Sequence, residues 1–181
     1  EVGWSGAKPS SVTDPLKMDT DGDGLTDGQE DADQNGRWDV EFGETDPNDP
    51  DTDDDLLLDG VEAGAPVDAD PTTTTNPLVA DSDGDGLIDG VEDADLDGKA
   101  GANEADPNKV DTDGDTIGDI YEIGDPANPP DHDGDGQYDV VDVDSDGDGF
   151  PDKLETIVNT YINVGDYDVD GDFLPDVGEV N

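Results

Sequence analysis

Cysteine is absent from all 181 residues, which excludes disulfide scaffolds, thiolate zinc sites, iron–sulfur clusters and thiol catalysis. Positive charge is nearly absent too: six Lys or Arg stand against 54 Asp or Glu, a formal net charge of −48. Nucleic acid and anionic membrane surfaces repel such a chain, so neither is an expected partner. No run approaches the ~20 apolar residues of a bilayer-spanning helix, which argues against membrane insertion. None has the apolar core of a signal peptide either, and in an exported protein that peptide is expected to have been removed ahead of Glu1. Hydrophobic residues make up 29% and aromatics 5%, too little apolar surface to offset roughly 1–2 kcal/mol of backbone entropy per ordered residue. Zincin, nucleophile-elbow and phosphate-loop motifs are missing, as is a Ser–His pair, so the chain is not expected to be an enzyme. Composition alone predicts disorder unless an outside source of cohesion also cancels negative charge.

The carboxylates are not scattered. DTDGDGLTDGQE from Asp19 to Glu30 returns as DSDGDGLIDGVE from Asp81 to Glu92, 62 residues later, and DADQNG at Asp31 returns as DADLDG at Asp93. TDPNDPDTDDD (Thr45 to Asp55) likewise matches ADPNKVDTDGD (Ala105 to Asp115). A tandem duplication divides the chain into a non-repeat segment 1–12, a module 13–80 with a Thr-rich linker at 71–77, a second module 81–130 and a C-terminal module 131–181.

The spacing D-x-D-x-D-G-x-x-D-x-x-E places oxygens where a hard cation takes them. Positions 1, 3 and 5 give carboxylates, 7 a backbone carbonyl, 9 a side chain often acting through water, and 12 a bidentate Glu; Gly at 6 permits the sharp turn. Three loops are complete: Asp19, Asp21, Asp23, Leu25, Asp27, Glu30; Asp81, Asp83, Asp85, Leu87, Asp89, Glu92; and Asp144, Asp146, Asp148, Phe150, Asp152, Glu155. Others depart from the pattern. Asp131, Asp133, Asp135, Gln137 and Asp139 end at the shorter Asp142. Asp31, Asp33, Asn35, Arg37 and Asp39 lack a Glu at position 12, although Glu41 and Glu44 are close. Asp93, Asp95 and Asp97 have Gly101 at position 9 but Glu104 at 12. Three loops lose the Gly of position 6: Asp51, Asp53, Asp55, Asp59, Glu62; Asp111, Asp113, Asp115, Asp119, Glu122; and Asp168, Asp170, Asp172, Asp176, Glu179, with Leu56, Thr116 and Phe173 in its place.

All-oxygen ligands select Ca²⁺ over zinc or copper, and Mg²⁺ prefers a tighter octahedron and its own waters. Nine Ca²⁺ would leave a charge of −30 from −48, still self-repelling, so about nine or more ions are expected. Extra ligands or simple Asx-turns are the two readings of Asp14, Asp46, Asn76, Asp106 and Asp125, each followed by Pro. His132 reads as a solvated spacer. Gly28, Gly60 and Gly90, with Pro recurring ahead of loops, predict few helices beyond one amphipathic stretch at 153–163 carrying Leu154, Ile157, Val158, Tyr161 and Ile162. Thr72–Thr75, held between Pro71 and Pro77, reads as an extended linker or an O-glycan acceptor.

TDPNDPDTDDD, DTDGDGLTDGQE and ADSDGDGLIDGVE resemble bacterial thrombospondin type 3 repeats, and the resemblance covers nearly all of residues 13–181. The loops are also similar to those of EF-hands and dockerins, but the intervening Gly and Pro argue against paired helices. The resemblance implies a mostly irregular, calcium-stabilised chain of tandem loops, extracellular or at the cell surface, that serves as a stalk, spacer or adhesion segment. The expected role is therefore a rod-like spacer or the subunit of a surface fibre, its partners copies of itself or neighbouring domains. A partner-binding module of dockerin or adhesion type is the alternative.

Overall fold

The structure, a computed structural model, describes residues 12–70 and 73–154. The 155–163 part of the expected helix, Glu155 and the whole Asp168 loop lie outside these residues, as do Pro71 and Thr72. Within them regular structure is sparse, as the glycines and prolines require: four single helical turns, α1 (Asp27–Glu30), α2 (Asp59–Glu62), α3 (Asp89–Glu92) and α4 (Asp119–Glu122), and two 3₁₀ turns, Val40–Phe42 and Asp139–Val141. Among the described residues there is no strand, and no helix is long and apolar enough to cross a membrane. The four α-turns start at residues 27, 59, 89 and 119, so they recur every 30 to 32 residues.

Each turn begins at position 9 of a loop, and one backbone bond closes the loop behind it. The N–H of Asp27 donates to Met18 O (2.9 Å), that of Asp59 to Pro50 O (3.1 Å), Asp89 to Ala80 O (3.1 Å), Asp139 to Pro130 O (3.1 Å) and Asp152 to Val143 O (3.0 Å). The preceding residue is extended in all four α-turns. A one-turn helix has too few internal hydrogen bonds to persist alone, so these turns exist because the loop geometry delivers them.

The chain falls into two compact units, one using the described residues up to Ser82 together with Ile88–Lys99, the other Asp83–Leu87 together with the described residues from Ala100. The first unit buries Leu57, Val61 and Ala65; the second buries Ala105, Ile123 and Val140, flanked by Leu87, Tyr138 and Val141. These six buried apolar residues contrast with seventeen buried polar ones, fifteen of them Asp or Glu. The interior is built of carboxylates.

Modules of the first unit meet through glycine. A Cβ on Gly60 would lie 2.3 Å from the carbonyl oxygen of Asp23, and one on Gly90 would lie 2.4 Å from that of Asp55, whereas a Cβ on Gly28 would meet nothing within 4 Å. Gly60→Ala is therefore expected to lower stability by ~2–4 kcal/mol, since backbone rather than a movable side chain must shift. Gly28→Ala, at the equivalent position of the first loop, should gain up to ~1 kcal/mol from helix propensity. Thermal midpoints of the two variants in millimolar Ca²⁺ check this pair.

Candidate metal centre

The two described loops that lack Gly at position 6 bend like those that have it. Leu56 (φ 91°) and Thr116 (φ 89°) stand where Gly24 has φ 106° and Gly86 φ 107°. The ring of carboxylates survives the replacement at the cost of backbone strain of order 1–2 kcal/mol. Leu56→Gly, on an exposed side chain, should raise the urea midpoint by an amount worth ~1 kcal/mol.

With the turn made, positions 1, 3 and 5 converge. Carboxylate oxygens of Asp19, Asp21 and Asp23 lie within 4.8 Å of one another, as do those of Asp51, Asp53 and Asp55. The position-5 carboxylate is aimed by the N–H of position 7: Leu25 donates to Asp23 Oδ1 (2.8 Å), Leu57 to Asp55 Oδ1 (2.8 Å), Leu87 to Asp85 Oδ1 (2.7 Å), Ile117 to Asp115 Oδ1 (2.7 Å), Gln137 to Asp135 Oδ1 (2.8 Å) and Phe150 to Asp148 Oδ1 (2.8 Å). This leaves the other oxygen facing inward. Oδ2 of Asp23, Asp55, Asp85 and Asp115 is buried and receives no hydrogen bond, and the same holds for Oε2 of Glu30 and Glu62 at position 12.

A buried anionic oxygen without a donor costs several kcal/mol unless a cation compensates it. Six basic side chains cannot supply that charge to fifteen buried carboxyls, and Lys109 is committed to Asp106 at 2.6 Å. The electrostatic consequence is uniform: each displaced carboxyl titration moves upward. Burial pushes Glu62 up to about 9, helped by Asp55 and Asp53. It pushes Glu122 to about 9, helped by Asp115 and Asp113, and Glu30 to about 8, helped by Asp21 and Asp23. Convergent, donorless, proton-avid oxygens fit a divalent metal.

Position 9 has a second engagement within its own loop. Both of its oxygens are turned to position 2. Asp59 Oδ1 accepts from Thr52 N–H (2.8 Å) and Oδ2 from the Thr52 hydroxyl (2.6 Å); Asp27 does the same with Thr20 (2.7 and 2.9 Å), Asp89 with Ser82 (2.7 and 2.7 Å) and Asp119 with Thr112 (2.8 and 2.7 Å). In the last described loop Ser145 donates its hydroxyl to Asp152 Oδ2 at 2.9 Å. His132 occupies position 2 of the Asp131 loop, and its Nδ1 contacts Asp139 Oδ2. The solvated-spacer reading of His132 is thus corrected: it is the local substitute for a Ser or Thr hydroxyl.

Other sequence readings resolve individually. In the Asp31 loop, Glu44 rather than Glu41 joins Asp31 and Asp33, within 4.8 Å; it is buried while Glu41 is exposed. Its oxygens accept from Asp33 N–H (3.1 Å) and Asp39 N–H (2.9 Å), and Trp38 donates its indole N–H to the Glu44 carbonyl (3.0 Å). Arg37 and Asn35 remain exposed there. In the Asp93 loop, Glu104 Oε2 accepts from Gly101 N–H (2.8 Å), and Asp142 Oδ1 accepts from Asp144 N–H (3.1 Å). Asp14, Asp46, Asp106 and Asp125 form Asx-turns, each accepting on Oδ1 from the N–H two residues on.

Two hydroxyls that the loop pattern does not contain serve the position-12 glutamates: Thr45 donates to Glu30 Oε1 (3.2 Å) and Thr75 to Glu62 Oε1 (3.1 Å). Thr73 donates to Asp70 O (3.0 Å) and also contacts Gly98 O. Of the Thr tract, then, Thr73 and Thr75 hold structure with their hydroxyls, and Thr74 is exposed. No protein-family model matches the chain, and a search of curated proteins finds no match.

Proposed function

We propose that this protein is an extracellular calcium-binding structural protein of thrombospondin type 3 character, a rod-like spacer or the subunit of a calcium-stabilised surface fibre. The observation that carries the reading is the set of buried carboxylate oxygens of Asp23, Asp55, Asp85, Asp115, Glu30 and Glu62, which no donor among the described residues satisfies. The choice of Ca²⁺ follows from the donors: carboxylates and carbonyls alone, with no Cys and one His that is spent on Asp139. Modules of this kind fill at about 10⁻⁴–10⁻³ M Ca²⁺, the extracellular range, and a cytosol would leave them empty.

Equilibrium dialysis in millimolar Ca²⁺ should find about nine or more bound ions per full chain. Sedimentation velocity in Ca²⁺ and in chelator then separates the two structural roles. Large species formed only with Ca²⁺ identify a fibre subunit, and a monomer that merely compacts identifies a spacer. Absence of bound Ca²⁺ together with identical sedimentation in both buffers would overturn the proposal.

A further inference from the structure

The carboxylates form a second kind of cluster, which no single loop contains. Asp23 and Glu30, positions 5 and 12 of the Asp19 loop, meet Asp59, position 9 of the Asp51 loop; Asp55 and Glu62 of that loop meet Asp89, position 9 of the Asp81 loop. In both groups the oxygens lie within 4.8 Å of one another, and every member is at most 1% exposed. Asp23 Oδ2, Glu30 Oε2, Asp55 Oδ2 and Glu62 Oε2 receive no hydrogen bond. In the second unit Asp115, Glu122 and Asp152, again at positions 5, 12 and 9, are likewise buried.

We propose that each junction cluster takes a divalent cation of its own, completed by position 9 of a later loop, so that occupancy of the one loop and closure of the other are coupled. The geometry supplies the link. Asp59 is presented to Glu30 only while Thr52 grips both of its oxygens, which is the act of closing the Asp51 loop. Gly60, beside it, allows that loop to press against the Asp23 backbone. This inference rests on the reading of the loops themselves as cation sites.

The test uses the full chain and Tb³⁺, which substitutes for Ca²⁺ and luminesces when an adjacent Trp is excited. Leu25→Trp reports on the Asp19 loop and Leu58→Trp on the Asp51 loop, each taken as the increment over the unsubstituted chain. Adding Asp59→Asn to the first reporter should weaken Tb³⁺ binding at the Asp19 loop about tenfold or more, in the range of ordinary site-to-site coupling. Adding Glu30→Gln to the second should weaken Tb³⁺ binding at the Asp51 loop as well, because coupling through a shared ion is reciprocal. Asp89→Asn read at the Asp51 loop is the independent second case, with the same expected loss, and covers the event that Asp59→Asn fails to fold. The junction proposal is overturned if the Asp-to-Asn variants leave the upstream loop unchanged, or if Glu30→Gln leaves the Asp51 loop unchanged. Absence of any luminescence increment in both reporters would instead overturn the loop reading, and this proposal with it.

Discussion

Stripping divalent metal at pH 7 is expected to unfold the described part of the chain completely, with loss of compaction in sedimentation and of the helical-turn signal in circular dichroism. The magnitude follows from comparing terms. A domain of ordinary size is stable by ~5–15 kcal/mol, and leaving one buried charge without its counter-charge removes ~3–5 kcal/mol. Among the described residues the twelve largest side chains under 2% exposed are all Asp or Glu. Three or four uncompensated carboxylates already exhaust the stability, and the apolar side, Leu57, Val61, Ala65, Ala105, Ile123 and Val140, cannot replace it. Re-addition of Ca²⁺ should restore the fold, because binding free energy is folding free energy when the site exists only in the folded chain. A chain that keeps its hydrodynamic radius and circular dichroism after passage over a chelating resin would show that the carboxylates are held by something other than metal.

The ligand ring of each loop was legible because it depends on local spacing. Positions 1, 3 and 5 converge whenever the backbone turns at position 6, and Leu56 and Thr116 show that the turn is imposed even on residues that resist it. The mostly irregular architecture was legible from the Gly and Pro that punctuate the chain, although α4 stops after one turn with no Gly in it. Contacts between loops were not. Asp59 looks like a ligand of its own loop until the packing brings it to Glu30, 29 residues earlier in the sequence. Gly60 reads as a helix breaker, while its structural role is close approach to Asp23. A signal for the position-9 arrangement was nonetheless present: Thr20, Thr52, Ser82, Thr112 and Ser145 put a hydroxyl at position 2 each time. Thr45 and Thr75 carried no such pattern, because they act on glutamates from the linker that follows each loop.

Acid should act in opposite directions on the metal-free and the calcium-loaded protein. Without metal, Glu62 and Glu122 in the folded chain bind protons up to about 9 and Glu30 up to about 8, against an ordinary 4.5. The folded state then holds more protons than the unfolded one throughout that window, so its stability falls as pH rises from 4.5 to 9. The contribution of these glutamates is least unfavourable below pH 4.5, where both states are protonated, and fully unfavourable above 9. Metal-free protein is therefore expected to recover compaction on acidification, most of it between pH 8 and 5. With Ca²⁺ bound, the same protons compete for the ligand oxygens, so acidification releases ions and lowers stability. Urea midpoints across pH 4 to 9, measured on resin-stripped protein and in millimolar Ca²⁺, should give two curves of opposite slope. Parallel curves would mean that the glutamates at position 12 are not the groups that the metal and the proton share.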